Sequence, residues 1–268
     1  MFYSIFVQPL ANGLVVFYRI FGSNLGLAII MFTLFLRVIL SPLTKPYMNS
    51  MKKMKDFAPQ IDKLKKKYAG DKIKFAKAQA DFYKENKINP SAGCLPYLVQ
   101  IIILIAFFNV FTRTISTQGN LAENFNKVLY EQLRFKEGEV VKSKFLYLDI
   151  TKPEVFNIPG IPFPIPGPII LLSAIAQFLS SKAQTNIIAA EKKIAQKTKS
   201  ESDDFQVTMQ KSMIYTFPLM TILIGVRFAS GLALYWLVFS VTQLVQQIYS
   251  QGWGGLTPWI NKIKLIKS

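Results

Sequence analysis

The chemistry open to this chain is narrowed first by the side chains it lacks. Among 268 residues there is no histidine and a single cysteine, Cys94. The commonest general base and the commonest metal ligand are therefore missing, and one thiol can neither close a disulfide within the chain nor build a thiolate cluster. A cysteine without a histidine partner is a poor nucleophile, so Cys94 reads as a buried apolar residue. No cofactor or metal is implied, and the chain is not expected to be an enzyme. What remains is a charge in an expensive place. Arg37 lies within residues 25–43, LGLAIIMFTLFLRVILSPL, a run with no other charge. Arginine at the centre of a spanning helix costs about 2.5–3.5 kcal/mol on insertion scales. It normally pairs with an acid, yet no Asp or Glu occurs in any of the five apolar spans proposed below.

Three of those spans carry polar residues at helical spacing. The first has Thr33, Arg37, Ser41 and Thr44. The third has Ser173, Gln177, Ser180 and Gln184, and the fifth has Trp236, Ser240, Gln243 and Gln247. Residues three and four apart share one face of a helix, so each set forms a stripe. Taken singly, such stripes serve as interhelical hydrogen-bonding glue. With Arg37 they are expected to converge on a hydrated interior. Arg37 stands six residues before Leu43, about 9 Å from the helix end at a rise of 1.5 Å per residue. That depth is within reach of water from one side. The expected site is a one-sided groove lined by Arg37, Gln177, Trp236, Thr33, Ser41, Ser173, Ser180, Ser240 and Gln243. A fixed cation there attracts an acidic or polar segment, and no covalent chemistry is required.

The elements that must position these residues follow from hydropathy. Hydrophobic residues make up 51% of the chain and charged residues 18%, against about 25% charged in soluble domains. The fold class is all-α: a polytopic membrane protein of five transmembrane helices, with an N-terminal interfacial helix and a cytoplasmic helical hairpin. Residues 1–23 are read as an amphipathic helix on the membrane surface, from Phe6, Leu10, Leu14, Phe17 and Phe21; a further span is the alternative. Gly22, Ser23 and Asn24 make a turn. Spans are placed at 24–43, 94–114, 167–187, 212–226 and 231–250, each near the length a bilayer demands except the short fourth.

Charge then orients the spans. Residues 44–93 hold 13 lysines and 5 acids; residues 115–166 hold 6 basic and 6 acidic residues. Residues 188–211 carry one excess positive charge, and the tail 251–268 has Lys262, Lys264 and Lys267 with no acid. Five spans place all the positive excess on one side, which makes that side cytoplasmic and the N-terminus external.

The segment 44–93 has its own pattern. Met51, Met54, Ala58, Ile61, Leu64 and Tyr68 repeat at helical spacing, as do Ile73, Ala76, Ala80 and Tyr83. Gly70 and Asp71 between them read as a helix stop and an N-cap. The result is a hairpin with an apolar seam and lysine-rich faces, suited to anionic lipid headgroups, or to an incoming chain or ribosome. Few aromatics interleave the lysines, so nucleic acid is not expected as a substrate.

The run KENKINPSAGCLPYLVQIIILIAFFNVF, residues 84–111, resembles the YidC-type membrane protein insertases, which include the mitochondrial oxidase-assembly and chloroplast Albino relatives. An acid, then Asn-Pro, then Gly-Cys-Leu-Pro entering a span carries the likeness. LRVILSPLTKPYMNSMKKM, KFLYLDITKPE and FASGLALYWLVFSVTQLVQQ support it in the same order along the chain. The resemblance implies insertion and folding of nascent membrane proteins in a bacterial plasma membrane, alone or beside the Sec translocon. It implies a cytoplasm-facing hydrophilic groove, with the groove arginine falling on Arg37, and glutamine and aromatic positions on Gln177 and Trp236. The competing class is a secondary transporter or channel for an anionic small molecule, against which the absence of internal repeats weighs.

Overall fold

The computed structural model describes residues 1–88, 95–115, 119–160, 162–183 and 201–266. Cys94, the Asn-Pro pair at 89–90 and the lysines of 192–199 lie outside these. The described chain is mostly helical. A π-turn at Tyr3–Val7 leads into α1 (Gln8–Ile20), followed by α2 (Leu25–Lys67), α3 (Lys72–Glu85) and α4 (Leu95–Val110). After α4 come a π-turn at Phe111–Ile115, the short α5 (Leu121–Asn126) and four two-residue strands. β1 (Lys144–Phe145) pairs with β2 (Leu148–Asp149), and β3 (Val155–Phe156) with β4 (Ile165–Pro166), both antiparallel. The last helices are α6 (Pro168–Ala183), α7 (Glu201–Gly225), α8 (Ser230–Gln251) and α9 (Thr257–Ile266).

The chain divides into two compact units. The first comprises Met1–Ile39, Leu98–Gln177 and Pro218–Thr242. Its core is aromatic: Phe107 stacks on Tyr235 with centroids 4.3 Å apart, and Phe32, Phe111 and Leu232 are buried beside them. The turn before α1 buries Val7 and α1 buries Ala11, Leu14, Val15 and Tyr18, while Phe6 remains exposed. Of the apolar face expected from Phe6, Leu10, Leu14, Phe17 and Phe21, Leu14 is buried and Leu10 and Phe17 are partly buried against the core, so the packed face overlaps the expected one and extends to Ala11, Val15 and Tyr18. Small Ala11 lets α1 approach Ala106 and Val110 of α4, a protein contact that hydropathy alone does not reveal. The turn at 22–24 forms as expected, with Gly22 and Ser23 at positive φ. Asn24 accepts from the Leu27 N–H at 3.0 Å and so starts α2.

The segment 119–160 is more ordered than a linker. Lys142 N donates to the Tyr18 hydroxyl at 2.9 Å, Tyr130 N donates to Asn12 Oδ1 at 2.8 Å, and Asn126 exchanges two hydrogen bonds with the Phe135 backbone. Gly26 admits the Phe145 ring, which a Cβ at that position would meet at 2.2 Å.

The second unit comprises Leu40–Tyr97, Phe178–Phe217 and Gln243–Ser268. Within it Phe57 of α2 and Phe82 of α3 meet edge to face at 5.5 Å. Asp71 caps α3, accepting from Lys74 N at 3.0 Å, and Gly70 has φ +100°. The seam is not the expected one at every position: Ile61 and Phe75 are buried, but Ile73 is 84% exposed. Ile73 belongs to the first turn of α3, and two residues on, Phe75 takes the inward position. α2 continues without a break to Lys67, so the boundary drawn at residue 44 is not a helix end. After α8, Gly254 passes so close to the Ala183 carbonyl that a side chain would not fit, and Trp259 stacks on Phe178.

Candidate functional site

α2 carries Arg37 to a surface of α8. The guanidinium carbon lies 4.0 Å from the centroid of the Phe239 ring. Nε donates to Thr242 Oγ1 at 3.3 Å, and Nη2 donates to the Phe239 carbonyl at 3.3 Å. Thr242 Oγ1 is itself 2.8 Å from the carbonyls of Val238 and Phe239, which orients it on the helix. A cation over an aromatic face gains about 0.5–2 kcal/mol, more as water is removed. Both hydrogen bonds exceed the ordinary 2.7–3.2 Å range for N–H···O. These contacts seat the guanidinium against the Phe239–Thr242 stretch of α8. Such a half-buried cation can exchange protein partners for the acidic or polar groups of a ligand.

Phe239 and Thr242 were not among the expected site residues. The expected stripe on α8 runs through Trp236, Ser240 and Gln243, one residue away in register and thus roughly 100° around the helix. Trp236 and Ser240 are buried, and Trp236 belongs to the aromatic core. An aromatic neighbour for Arg37 could have been sought in FSVTQ, but nothing in that run distinguishes its two adjacent faces.

The other expected residues are spread over several contacts. Thr33 is buried, and its hydroxyl donates to the Ile29 carbonyl of its own helix at 2.6 Å. Ser173 is buried and donates to the Ala233 carbonyl at 3.2 Å, joining α6 to α8. Gln177 Oε1 accepts from Thr221 Oγ1 of α7 at 2.7 Å. Ser41, Ser180 and Gln243 fall in the second unit. Ser180 Oγ is buried there without a hydrogen-bond partner among the described residues. In the first unit, then, α2, α6, α7 and α8 each contribute polar side chains to interhelical or intrahelical bonds, and Arg37 is the charged member.

Among the described residues two helices are long and apolar enough to cross a bilayer, Leu25–Pro42 and Ser230–Ser250, and Ile101–Ile115, Pro168–Ala183 and Ile214–Gly225 are shorter apolar helices. With an arginine seated on an aromatic ring in the first of them, this architecture is that of a helical membrane protein. The chain belongs to the 60Kd inner membrane protein family, whose model matches residues 16–253. It is 32% identical over 227 residues to the membrane protein insertase YidC of Fusobacterium nucleatum, covering 85% of this chain and 86% of that one. It is 29% identical over 251 residues to membrane protein insertase YidC 2 of Bacillus anthracis, covering 92% and 80%. Against the YidC insertase of Pelobacter propionicus the identity is 31% over 250 residues, which cover 92% of this chain but only 38% of that longer relative.

Proposed function

We propose that this protein inserts newly made membrane proteins into the lipid bilayer and helps them fold, through a hydrated groove centred on Arg37. The relatives, all named insertases, favour this over the transporter reading. The observation that carries the mechanism is the seating of Arg37 on Phe239 and Thr242 within an apolar helix. An arriving polar stretch finds a cation and water already within the apolar span, so part of the cost of bringing charge into the membrane is met in advance. Of the expected residues, those of the first unit, Gln177, Trp236, Thr33, Ser173 and Ser240, would line or brace the groove. The apolar part of the substrate can meanwhile leave sideways into lipid. No covalent step is involved.

In this reading five helices span a bacterial plasma membrane, with the N-terminus outside and the tail inside. The lysine-rich hairpin of 44–93, formed by the end of α2 and by α3, then stands on the cytoplasmic side, near anionic headgroups and positioned to meet a ribosome or the Sec translocon. The positive-inside distribution supports this orientation.

The test is Arg37→Ala beside Arg37→Lys, assayed for insertion of matched substrates with acidic or neutral translocated segments. Arg37→Ala is expected to slow the acidic substrate about tenfold more than the neutral one, and Arg37→Lys to restore part of the difference, because a lysine keeps the charge but not the planar stacking. Equal insertion of both substrates by Arg37→Ala, at normal protein level, rules the electrostatic mechanism out.

A further inference from the structure

The six residues DITKPE, 149–154, hold the starts of two helices at once. At α8, Ser230 N donates to the Lys152 carbonyl at 2.7 Å and Gly231 N to the Ile150 carbonyl at 3.1 Å. The Ser230 hydroxyl adds a bond to the Asp149 carbonyl at 2.8 Å. At α6, the Glu154 carboxylate accepts from Ile169 N at 3.2 and 3.0 Å and from Ile170 N at 3.3 Å, and the Glu154 carbonyl accepts from Gly167 N at 2.8 Å. The first N–H groups of a helix have no acceptor within it, so the segment answers groups that would otherwise be orphaned at both helices. A carboxylate at that end is also favoured by the helix dipole.

The fit is tight on both sides. Glu154 is 7% exposed and accepts the Tyr147 hydroxyl proton; Ile150 is fully buried. A Cβ on Gly167 would lie 2.3 Å from the Glu154 side chain, and one on Gly231 would lie 2.6 Å from Phe111 and 2.7 Å from Ile150. Glycine at each helix start therefore lets the segment reach contact. Ser173 lies four residues beyond Ile169, about 6 Å along the helix, where it bonds Ala233 of α8. The spacing of α6 and α8 at the loop thus decides whether that buried bond is made.

We infer that residues 149–154 are a latch. It fixes the starts of α6 and α8 against each other and closes the polar interior to the side on which the loop lies, with Glu154 as its positioning residue. The functional meaning of closure rests on the insertase reading; the geometry does not.

The experiment uses the full chain with Cys94→Ser and Ser173→Cys, labelled in oriented vesicles by a membrane-impermeant maleimide. A separate Glu137→Cys chain reports which side the loop occupies. Ser173→Cys alone should label at background. Adding Glu154→Ala should raise its labelling about tenfold, as expected for loss of a buried charged hydrogen-bond acceptor, from the same side as Glu137→Cys. Glu154→Gln keeps one acceptor oxygen and should fall between. Where Glu154→Ala does not accumulate, Gly167→Ala, which displaces the carboxylate, gives the same reading. Background labelling in accumulating Glu154→Ala and Gly167→Ala chains overturns the latch, as does loop-side labelling of Ser173→Cys with the latch intact. A failed Arg37 insertion assay alongside raised Ser173→Cys labelling would reject the groove mechanism and leave the latch standing.

Discussion

Two regions of the first unit treat polar groups in opposite ways. On the loop side, Arg19 donates through Nη2 to the Leu133 and Arg134 carbonyls at 3.0 and 2.9 Å, and Asn12, Tyr18 and Asn126 make bonds of similar length. In the interior, Arg37 makes contacts at 3.3 Å and rests on a ring. Both regions use an arginine beside a phenylalanine, since Arg19 also lies over Phe135 at 5.5 Å. The difference lies in what answers the guanidinium. Two backbone carbonyls of an ordered loop answer Arg19 at 3.0 and 2.9 Å, whereas a hydroxyl and a carbonyl of the neighbouring helix answer Arg37 at 3.3 Å, beside a closer ring.

The largest expected effect comes from breaking the tight region where it has no slack. Gly231→Val drives methyl groups into Phe111 and Ile150, both buried. Overpacking of this kind costs about 3 kcal/mol. Thermal unfolding in detergent should drop accordingly, and the same substitution should abolish insertion. A Gly231→Val chain as stable as the parent would mean that the loop side has slack after all, and the contrast would fall. Arg19→Met is milder. It removes two exposed bonds to carbonyls but keeps the stem, so about 1 kcal/mol is expected. Its insertion defect should be equal for acidic and neutral substrates, unlike that of Arg37→Ala. An acid-selective defect in Arg19→Met would show that charge anywhere in the unit suffices.

How much of this was open to a reading of the sequence depends on how far apart the partners lie. The apolar runs around Leu25–Pro42 and Ser230–Ser250, the turn at Gly22 to Asn24 and the Asp71 cap are local, and each is written in a few consecutive residues. Arg37 stood out because charge in an apolar run is costly wherever its partners are. Its partners Phe239 and Thr242 were not legible, because a helix offers adjacent faces and packing of the aromatic core selects between them. The extension of the buried face of α1 to Ala11, Val15 and Tyr18 was not legible for the same reason. Glu154 looked like one of six acids in a loop with no net charge; its role appears only once residues 15 and 16 positions further on are brought over it as helix N–H groups. Lys142 and Tyr18 meet across 124 positions, beyond any periodic signal.

The smallest expected effect is a pH dependence of the latch. Burial alone would raise the Asp149 carboxyl, but bonds from the Thr151 hydroxyl and N–H, from Ser143, and the charge of Lys152 outweigh it and hold it below the ordinary aspartate value. An unfolded aspartate titrates near about 3.9. Between the depressed native value and that figure the unfolded chain binds more protons than the folded one, so stability rises with pH across the window. The contribution is complete above the unfolded value and is lost as pH falls through the native one. Asp149 is partly exposed and Lys152 approaches it only to 3.7 Å, so solvent screening keeps the effect modest. Hydrogen exchange at the Ser230 and Gly231 amides, corrected for intrinsic rates, should quicken as pH falls from about 5 to about 3. Asp149→Asn should flatten that profile, since an amide cannot titrate, while leaving the backbone acceptors in place. An unchanged profile in Asp149→Asn would mean that backbone bonds alone hold the loop side, and the side-chain part of its rigidity would have to be given up.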